Sequence, residues 1–455
     1  MGLDFRFRDF AYPLAIFNKK RQFDKHQYLS LEALEQYQLS RLKEIIAHAY
    51  AAIPYYRKSF DSMGICPSDI QSLSDTAFLP FLSKDILKVS FSELCARDLK
   101  RFKPLELHTS GTTGGQVKFL VDKSSNILEF VYYWRFWGWH RYRLGDKFAE
   151  FSAQHFTPIE KNSDKFFEFN PVTNRMLINS LLLSVTNINK YVSIFKAHKP
   201  LFLKGLPSNL YVFALLCNEV KHHGISFKAI FSQGENLFPN QKKFIEQVFS
   251  SPVFDSYGHL ERTVAISQCP YGNYHIHSDY SLVELIKPKN DFLSSIPLKK
   301  GQSIFEVVGT SLHNYCMPLV RYKTGDLVIT DSAQKCCPCK RSFPLINSVI
   351  GRDSDIIITP DKRAVTALYV ALDRLPSITC GQIIQESPSM LEIRISCSSD
   401  NISQLQNLIK KEVSSFTGDS MSIKVKRCSP EELYTADGRK FKSIISHVDP
   451  SVILS

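Results

Sequence analysis

The sequence predicts an α/β fold whose C-terminal part is α+β, and three observations support this. Over the middle of the chain, segments with apolar residues at helical spacing alternate with short buried-strand patterns. Polar and glycine residues gather just after these strands, where open α/β sheets bind their ligands. The charge balance changes near residue 350, so we predict a large domain over 1–350 and a smaller one over 351–455.

The first elements are a helix over 31–50 and a break over 51–56. An aromatic-rich helix is predicted over 124–140, and such a stripe forms core more often than it lines a ligand pocket. Later predicted elements are a strand ending at 201–205, a helix over 208–221, a strand over 227–231, a helix near 240–249, the segment 253–258 after it, and strands over 281–286 and 303–309.

Length and composition indicate a folded globular protein. The 455 residues are 44% hydrophobic and 22% charged, which is enough apolar material for two or more cores. No apolar run approaches the ~20 residues of a spanning helix, and the first residues carry charges around a short apolar patch. We therefore expect a cytoplasmic protein without a transmembrane segment. The oligomeric state stays open, with a homodimer among the options.

The net charge of +12 does not indicate a nucleic-acid-binding protein. From residue 352 onward there are 13 basic and 13 acidic residues, so the whole excess lies in residues 1–351. The basic residues there are spread out, without a dense run that interleaves with aromatic residues. The charge fits a mild attraction for anionic ligands or a membrane surface, with a solvated face as the alternative, and nucleic acid is not the expected partner.

Eleven cysteines without a signal peptide indicate reduced thiols or metal ligands rather than disulfides. Cys337 and Cys339 are separated by a proline, and Cys269 and His275 lie upstream with a glycine between them. Three thiolates and one imidazole satisfy tetrahedral zinc, and a closed set of four ligands would be structural. Cys336 and His277 are competing ligands that spacing does not exclude, and buried thiols with a core histidine are the alternative.

The segment 107–119 combines small hydroxyl residues with three glycines, and Lys118 follows them. Backbone N–H groups that are free of Cβ atoms, together with hydroxyls, can wrap a polyphosphate. The glycine spacing fits neither of the two common phosphate-binding patterns, GxxxxGK[ST] and GxGxxG. By itself, the segment is more typical of an ordinary Ser/Thr/Gly turn than of a phosphate-binding loop.

This loop is the first of five motifs that occur in one order. The motifs are the Ser/Thr/Gly loop, Tyr257-Gly258-His259-Leu260-Glu261, Arg321-Tyr322-Lys323-Thr324-Gly325-Asp326, Gly351-Arg352 with acidic neighbours, and Thr435-Ala436-Asp437-Gly438-Arg439-Lys440-Phe441-Lys442. Together they resemble the adenylate-forming (acyl-CoA synthetase) superfamily, and within it the phenylacetate-CoA ligase and CapK capsular-polysaccharide branch. The resemblance covers nearly the whole chain. It implies a large AMP-binding domain and a small mobile C-terminal domain.

The resemblance implies a site for ATP, Mg²⁺ and a carboxylic acid. Negative charge must be held while pyrophosphate leaves the α-phosphate. The implied phosphate cradle consists of Ser110, Gly111, Thr112, Thr113 and Gly114. Glu261 would hold Mg²⁺. Tyr257 with Gly258 would lie on adenine, beside the backbone of Gly234 and Glu235. Asp326 would accept hydrogen bonds from the ribose hydroxyls. Taken singly, Asp326 also fits a turn and Glu261 a helix start.

The resemblance implies that the C-terminal domain swings after adenylation. The sequence differs from the family pattern, or matches it ambiguously, at the hinge, at the catalytic lysine and in the phosphate loop. Ser354-Asp355 stands where two consecutive acids usually follow the hinge at Arg352. The catalytic lysine is best matched by Lys440, although a different alignment selects Arg439. Gly115 replaces the usual loop lysine, so Lys118 would either reach the phosphates or face solvent from a strand.

The implied function is an ATP-dependent ligase that adenylates a carboxylic acid, with Lys440, Glu261 and Thr113 as catalytic residues. Coenzyme A is the first choice of acceptor, and the CapK resemblance points to surface polysaccharide biosynthesis. Alternatives within the fold are amide formation on an amine acceptor and transfer of AMP to a hydroxyl. A different class is a scaffold that binds nucleotide without turnover. Some members of the branch carry a zinc site, and the Cys269, His275, Cys337, Cys339 pattern resembles theirs.

Overall fold

The computed structural model describes residues 8–108, 118–220, 223–288, 299–331, 336–350, 357–365, 368, 371–372, 374–375, 377–397, 401–428 and 444–449. Among these residues, no helix has the length and apolar character needed to cross a membrane. They form two compact units. Unit 1 contains the described residues of 1–109, 117–142 and 256–350, and unit 2 those of 143–255 and 351–455. The sequence-based division into 1–350 and 351–455 stays a prediction.

The described helices alternate with strands through most of the chain. The helices are α1 Arg8–His26, α2 Leu31–Ala52, α3 Pro54–Met63, α4 Lys84–Val89, α5 Lys123–Trp139, α6 Ile188–His198, α7 Pro207–Glu219, α8 Pro239–Phe249 and α9 Ile402–Thr417. The strands of the first half are β1 Leu105–His108, β2 Lys118–Val121, β3 Phe148–Ser152, β4 Phe167–Asn170, β5 Arg175–Asn179, β6 Phe202–Gly205, β7 Ala229–Gln233 and β8 Val253–Gly258.

The second half of the chain contributes mainly antiparallel strands. These are β9 Ala265–Gln268, β10 Tyr274–Ile276, β11 Ser281–Ile286, β12 Gln302–Ser311, β13 Tyr322–Asp331, β14 Leu345–Ile346, β15 Ser348–Ile350, β16 Ile357–Ile358, β17 Ala364–Val365, β18 Ile378–Ser387, β19 Met390–Cys397, β20 Ser422–Arg427 and β21 Ile444–Ser446. The mixed α/β fold class predicted from the sequence is confirmed.

Unit 1 is built from antiparallel strands and the N-terminal helices. Strands β11, β12, β13 and β15 form one sheet in that order. The end of β8 pairs with β9, which continues to β10 and β14. The hairpin β1–β2 pairs His108 with Lys118. These sheets carry the turn after β8 and the middle of β13, where two of the sequence motifs lie.

Helix α2 shows why the N-terminal segment folds as predicted. Ser30 caps the helix by accepting a hydrogen bond from Ala33 N. Leu34, Gln38, Leu42, Ile45, Ile46 and Ala49 are buried at three- and four-residue spacing, which places them on one face. The predicted break at 51–56 is only one residue wide. Ile53 is extended, and Pro54 opens α3 at a position where proline is favoured.

Unit 2 contains the parallel strands. Strand β3 pairs in parallel with both β5 and β6, β6 pairs in parallel with β7, and β4 adds an antiparallel edge. Apolar residues of the adjoining helices pack on this sheet, including Phe195, Phe213 and Phe249. The observed bounds of α7, α8, β6 and β7 agree with the predicted elements within a few residues.

The described C-terminal residues belong to the same apolar core as the rest of unit 2. Strands β20, β19, β18 and β21 form a sheet in that order, and α9 buries Leu405, Ile409, Val413 and Phe416. Arg363 is buried and donates to the carbonyl oxygens of Leu181 and Thr417. A buried guanidinium needs such acceptors, so Arg363 joins the C-terminal segment to the loop that follows β5.

Candidate active site

Several of the sequence-predicted site residues lie outside the described part of the chain. They are the phosphate cradle of Ser110, Gly111, Thr112, Thr113 and Gly114, the hinge residue Arg352, and the alternative catalytic residues Arg439 and Lys440. Their roles stay predictions. The remaining predicted residues lie in the described part of the chain.

The structure brings Tyr257 of β8 and Asp326 of β13 together. The Tyr257 hydroxyl donates to Asp326 Oδ2 at 2.7 Å. The backbone before Asp326 turns through Gly325 at φ +74°, a left-handed conformation that favours glycine. Burial, reinforced by the Asp326 carboxylate, raises the pKa of Tyr257, so the phenol remains a donor. An aromatic ring and a carboxylate thus meet at the two positions that the resemblance assigns to adenine and ribose.

Glu261 lies in a tight turn that follows β8. Arg262 N donates to His259 O at 3.0 Å to close this turn, and Arg262 has φ +57°, which is uncommon for a residue with a Cβ. The Glu261 carboxylate accepts from the Tyr322 hydroxyl at 3.0 Å and lies 3.2 Å from His259 Nδ1. We call Tyr257, Glu261, Tyr322 and Asp326 the carboxylate site.

The electrostatics keep Glu261 ionised. Burial alone would raise the pKa of Glu261, but hydrogen bonds and the charge of His259, with the Tyr322 hydroxyl, lower it to about 2. A buried carboxylate that is held as an anion is a ligand suited to a hard cation such as Mg²⁺. The residues present therefore fit the metal that the resemblance places here.

Gly309 of β12 holds the turn in place by allowing two backbones to approach closely. A Cβ at position 309 would lie 2.3 Å from Thr263 O and 2.6 Å from Thr263 Oγ1. Thr263 comes directly after the turn and is fully buried. Only glycine fits this contact, so β12 fixes the position of the segment that carries Glu261.

In unit 2, Gly234 and Glu235 follow β7. Gly234 has φ +86°, and a Cβ there would touch Leu206 at 3.0 Å. Glu235 Oε2 accepts from Ser208 N at 3.2 Å, in the first turn of α7. Burial raises the pKa of Glu235 to about 7, and the contacts with Ser208 oppose this rise only in part.

Lys118 occupies the second of its two predicted positions. It begins β2, its side chain is 47% exposed, and its Nζ forms an ion pair with Glu106 Oε2 at 2.6 Å. The ammonium also lies 5.2 Å from the ring centroid of Phe91. Lys118 therefore faces solvent from a strand and is paired across the hairpin with Glu106.

Cys269, His275, Cys337 and Cys339 converge in unit 1, and we call them the thiol cluster. Their ligand atoms all lie within 4.8 Å of one another. Cys269 Sγ lies 3.6 Å from Cys337 Sγ, and Cys339 Sγ lies 3.3 Å from His275 Nε2. Three sulfurs and one imidazole nitrogen form the donor set of a structural zinc site.

Neighbouring groups orient this cluster. His275 Nδ1 lies 3.2 Å from Phe343 O, which leaves Nε2 directed toward the sulfurs. Asn273 Nδ2 donates to Cys337 Sγ at 3.3 Å. Of the two competing ligands from the sequence, Cys336 is exposed, and His277 contacts Arg135 through Nδ1 and Ser267 through Nε2. Among the residues that the structure describes, the cluster contains neither of them.

Comparison with known proteins gives relatives over most of the chain. The chain is 22% identical to Protein CapK of Staphylococcus aureus over 357 residues, which cover 76% of this chain and 75% of that protein. It is 25% identical to phenylacetate-coenzyme A ligase of Pseudomonas putida over 365 residues, 74% of each chain. The chain is a relative of CapK and of the phenylacetate-coenzyme A ligases. No protein-family model matches it.

Solved structures share the fold. The chain superposes on a 2-hydroxyisobutyryl-CoA ligase in complex with 2-HIB-AMP and CoA with a TM-score of 0.61. The match covers 94% of this chain and 93% of the ligase, at 18% sequence identity. The fold of this chain is therefore that of adenylate-forming acyl-CoA ligases.

Sequence reasoning gave no role to Tyr322 and His259, although both stand inside the quoted motifs. Tyr322 comes directly after Arg321 and four residues before Asp326, and the strand places its hydroxyl on Glu261. His259 lies two residues before Glu261, so the turn sets the two side chains against each other. For His259 the available signal was a titratable residue two positions from the predicted metal ligand. Tyr322 has no such signal, because its contact with Glu261 joins two distant parts of the chain.

Proposed function

We propose that this chain is an ATP- and Mg²⁺-dependent ligase that adenylates a carboxylic acid and transfers the acyl group to an acceptor. The observation that carries the proposal is the carboxylate site, in which Glu261 is kept anionic and Asp326 is set beside Tyr257. The relationship to phenylacetate-coenzyme A ligases supports the same reaction class.

Each residue has a role that its chemistry supports. Glu261 would hold Mg²⁺, and the metal would supply positive charge to balance the phosphates. Asp326 accepts hydrogen bonds from the ribose hydroxyls, and Tyr257 with Gly258 supports the adenine. Ser110–Gly114 would cradle the phosphates. Gly234 and Glu235 would contribute backbone groups to adenine binding. Lys440 contacts the α-phosphate and the carboxylate in the first half-reaction, after which a hinge at Arg352 moves the C-terminal domain.

Coenzyme A is the proposed acceptor, because phenylacetate-coenzyme A ligases are among the relatives over most of the chain. We also propose that the reaction serves surface polysaccharide biosynthesis in the cytoplasm, and the similarity to CapK supports the first part of this proposal. Amide formation on an amine would use the same adenylate with a different nucleophile. Product analysis with coenzyme A and with amines separates these acceptors once the acid is known.

The decisive experiment is acid-dependent exchange of pyrophosphate into ATP, measured with a broad panel of acids. We expect exchange with at least one acid and a strong loss in Lys440→Ala, with Lys442→Ala as the matched control. Unchanged exchange in Lys440→Ala, combined with a loss in Arg439→Ala, would move the catalytic role to Arg439. Nucleotide binding without exchange for any acid would refute the ligase and indicate a scaffold.

The thiol cluster is proposed to hold one structural Zn²⁺. Zinc bound by all four ligands leaves no open position, so it stabilises the loop after β13 rather than taking part in the reaction. We expect about one equivalent of metal in purified protein. Cys337→Ser with Cys339→Ser should lose the metal and lower Tm, whereas Cys336→Ser, on an exposed neighbour outside the cluster, should change neither. Metal-free wild type of full stability would contradict the proposal.

A further inference from the structure

One face of α5 presents polar side chains among aromatic rings. Asn126, Glu129 and Tyr133 are spaced by three and four residues, which places them on the same side of the helix. This side meets Tyr280, whose hydroxyl donates to Glu129 Oε2, and Arg262 from the turn after β8. The rest of α5 is mainly buried core, so this face is where the helix meets the segment that carries Glu261.

Arg262 is the unusual member of this group. Its side chain is 8% exposed, so it is more than nine-tenths buried. Nη2 donates to Asn126 Oδ1 at 2.8 Å, and Nε lies 4.0 Å from Glu129 Oε2. Nη1 is buried and has no hydrogen-bond partner in the described part of the chain. A guanidinium nitrogen buried without an acceptor is costly, and the left-handed backbone of Arg262 adds strain at the same residue.

We propose that Arg262 Nη1 donates to an oxygen carried on the acyl chain of the acid, so that the substrate is an oxygen-substituted carboxylic acid. This inference rests on the proposed function, because it assigns the acid to the site next to Glu261. Tyr133 and Tyr280 pack in one apolar cluster on this side of α5, and Arg262 selects a hydroxyl, carbonyl or amide oxygen on the acid. Arg262 is then a specificity-determining residue of the ligase.

The charges around Arg262 favour a neutral acceptor over a phosphate. Glu129 lies 4.0 Å from Arg262 Nε and already balances the charge of the guanidinium. A phosphate or second carboxylate at Nη1 would add negative charge beside the half-buried Glu129, which is unfavourable where the local dielectric is low. A neutral oxygen satisfies the donor without this repulsion.

The test uses pairs of acids that differ by one oxygen, such as phenylacetate with 4-hydroxyphenylacetate and butyrate with 3-hydroxybutyrate. Pyrophosphate release gives kcat/KM for both members of each pair. A site built to donate to an oxygen rejects the analogue that lacks it. We expect wild type to prefer the oxygen-bearing member of at least one pair by roughly tenfold to a hundredfold. Arg262→Met should abolish this ratio, and Arg57→Met, which removes an exposed arginine, should preserve it.

The outcomes separate this inference from the proposed function. Turnover of acids with no preference for oxygen, or an equal loss on both members in Arg262→Met, would overturn the inference and leave the ligase intact. Equal loss would mean that Arg262 contacts a group common to all acids. Absence of turnover with every acid would overturn both. If Arg262→Met does not fold, Arg262→Lys decides, since a single ammonium cannot replace the planar fork and should lose the same ratio.

Discussion

Glu261 and Glu235 are two partly or wholly buried glutamates in the turns that come after strands β8 and β7, yet their pKa values move in opposite directions. The Glu261 carboxylate accepts a hydrogen bond from the Tyr322 hydroxyl and lies beside the His259 ring, and these contacts lower its pKa to about 2. Glu235 Oε2 accepts a hydrogen bond from Ser208 N, while Oε1 has no hydrogen-bond partner among the described residues. Burial then raises the pKa of Glu235 to about 7. The comparison shows that the donors around a carboxylate, rather than burial, decide its charge.

This difference assigns different chemistry to the two residues. Glu261 is an anion over the whole physiological range, as a metal ligand must be. Glu235 exchanges its proton close to neutral pH, so it is a poor ligand for a permanent cation. Substituting each glutamate by glutamine removes the charge at nearly constant shape, and this pair of variants tests the comparison directly.

The largest expected effect is the loss of activity in Glu261→Gln. A neutral amide binds Mg²⁺ far less well than a carboxylate, so pyrophosphate exchange should fall on the order of a hundredfold or more. Excess Mg²⁺ should restore part of the rate. Glu44→Gln, which changes a glutamate that is 49% exposed, serves as the control and should keep wild-type exchange. Full activity in Glu261→Gln would remove Glu261 from the metal site.

A smaller effect is expected from Tyr322→Phe, which removes a donor to Glu261 but keeps the ring. The pKa of Glu261 should rise only in part, because His259 still lowers it, and loss of the hydrogen bond should cost about 2 kcal/mol in unfolding free energy. Because the folded pKa is lowered, the stabilisation from Glu261 is present above the unfolded value and is lost as the pH falls through about 2. We therefore expect the difference in unfolding free energy between variant and wild type, measured by urea unfolding, to be smaller at pH 2 than at pH 5.

The control for this experiment is Tyr28→Phe, at a tyrosine that is 57% exposed. It should leave the unfolding free energy unchanged at both pH values. A gap between Tyr322→Phe and wild type that stays constant from pH 5 to pH 2 would mean that the hydroxyl acts through packing rather than through the charge of Glu261.

The sequence was sufficient for the fold class. It also named Tyr257, Glu261 and Asp326 through the resemblance, and the structure sets Tyr257 against Asp326, while the roles of all three stay predictions. The four members of the thiol cluster follow from residue type and spacing, and the structure brings them together. The contact of Tyr322 with Glu261 was not predictable, because it depends on how β13 is placed against the turn. The same holds for Gly309, since its need for glycine arises from Thr263 on another strand.

Arg262 shows a second reason why part of the site could not be read from the sequence. An arginine after a glutamate is typical of a solvated turn, and nothing in the neighbouring residues indicates burial. Its enclosure comes from Asn126 and Glu129 on a helix more than 130 residues earlier. Long-range packing of this kind has no local pattern, whereas motif order and helical spacing do.

The smallest expected effect, and the one of opposite sign, is a gain of stability in Glu235→Gln. The folded pKa of about 7 lies above the unfolded value, so the protonated form is favoured in the fold. Ionisation of Glu235 then opposes folding by an amount that is absent below pH 4.5, grows up to pH 7 and is complete above it. Allowing for partial exposure, Glu235→Gln should be more stable than wild type by about 1 kcal/mol at pH 8 and equal to it at pH 4.

Unfolding in urea at the two pH values measures this difference, and Glu219→Gln, on an exposed glutamate of α7, should show none. If Glu235→Gln instead destabilised the protein at pH 8, Glu235 would be a stabilising anion like Glu261, and burial with few donors would no longer explain the contrast between them.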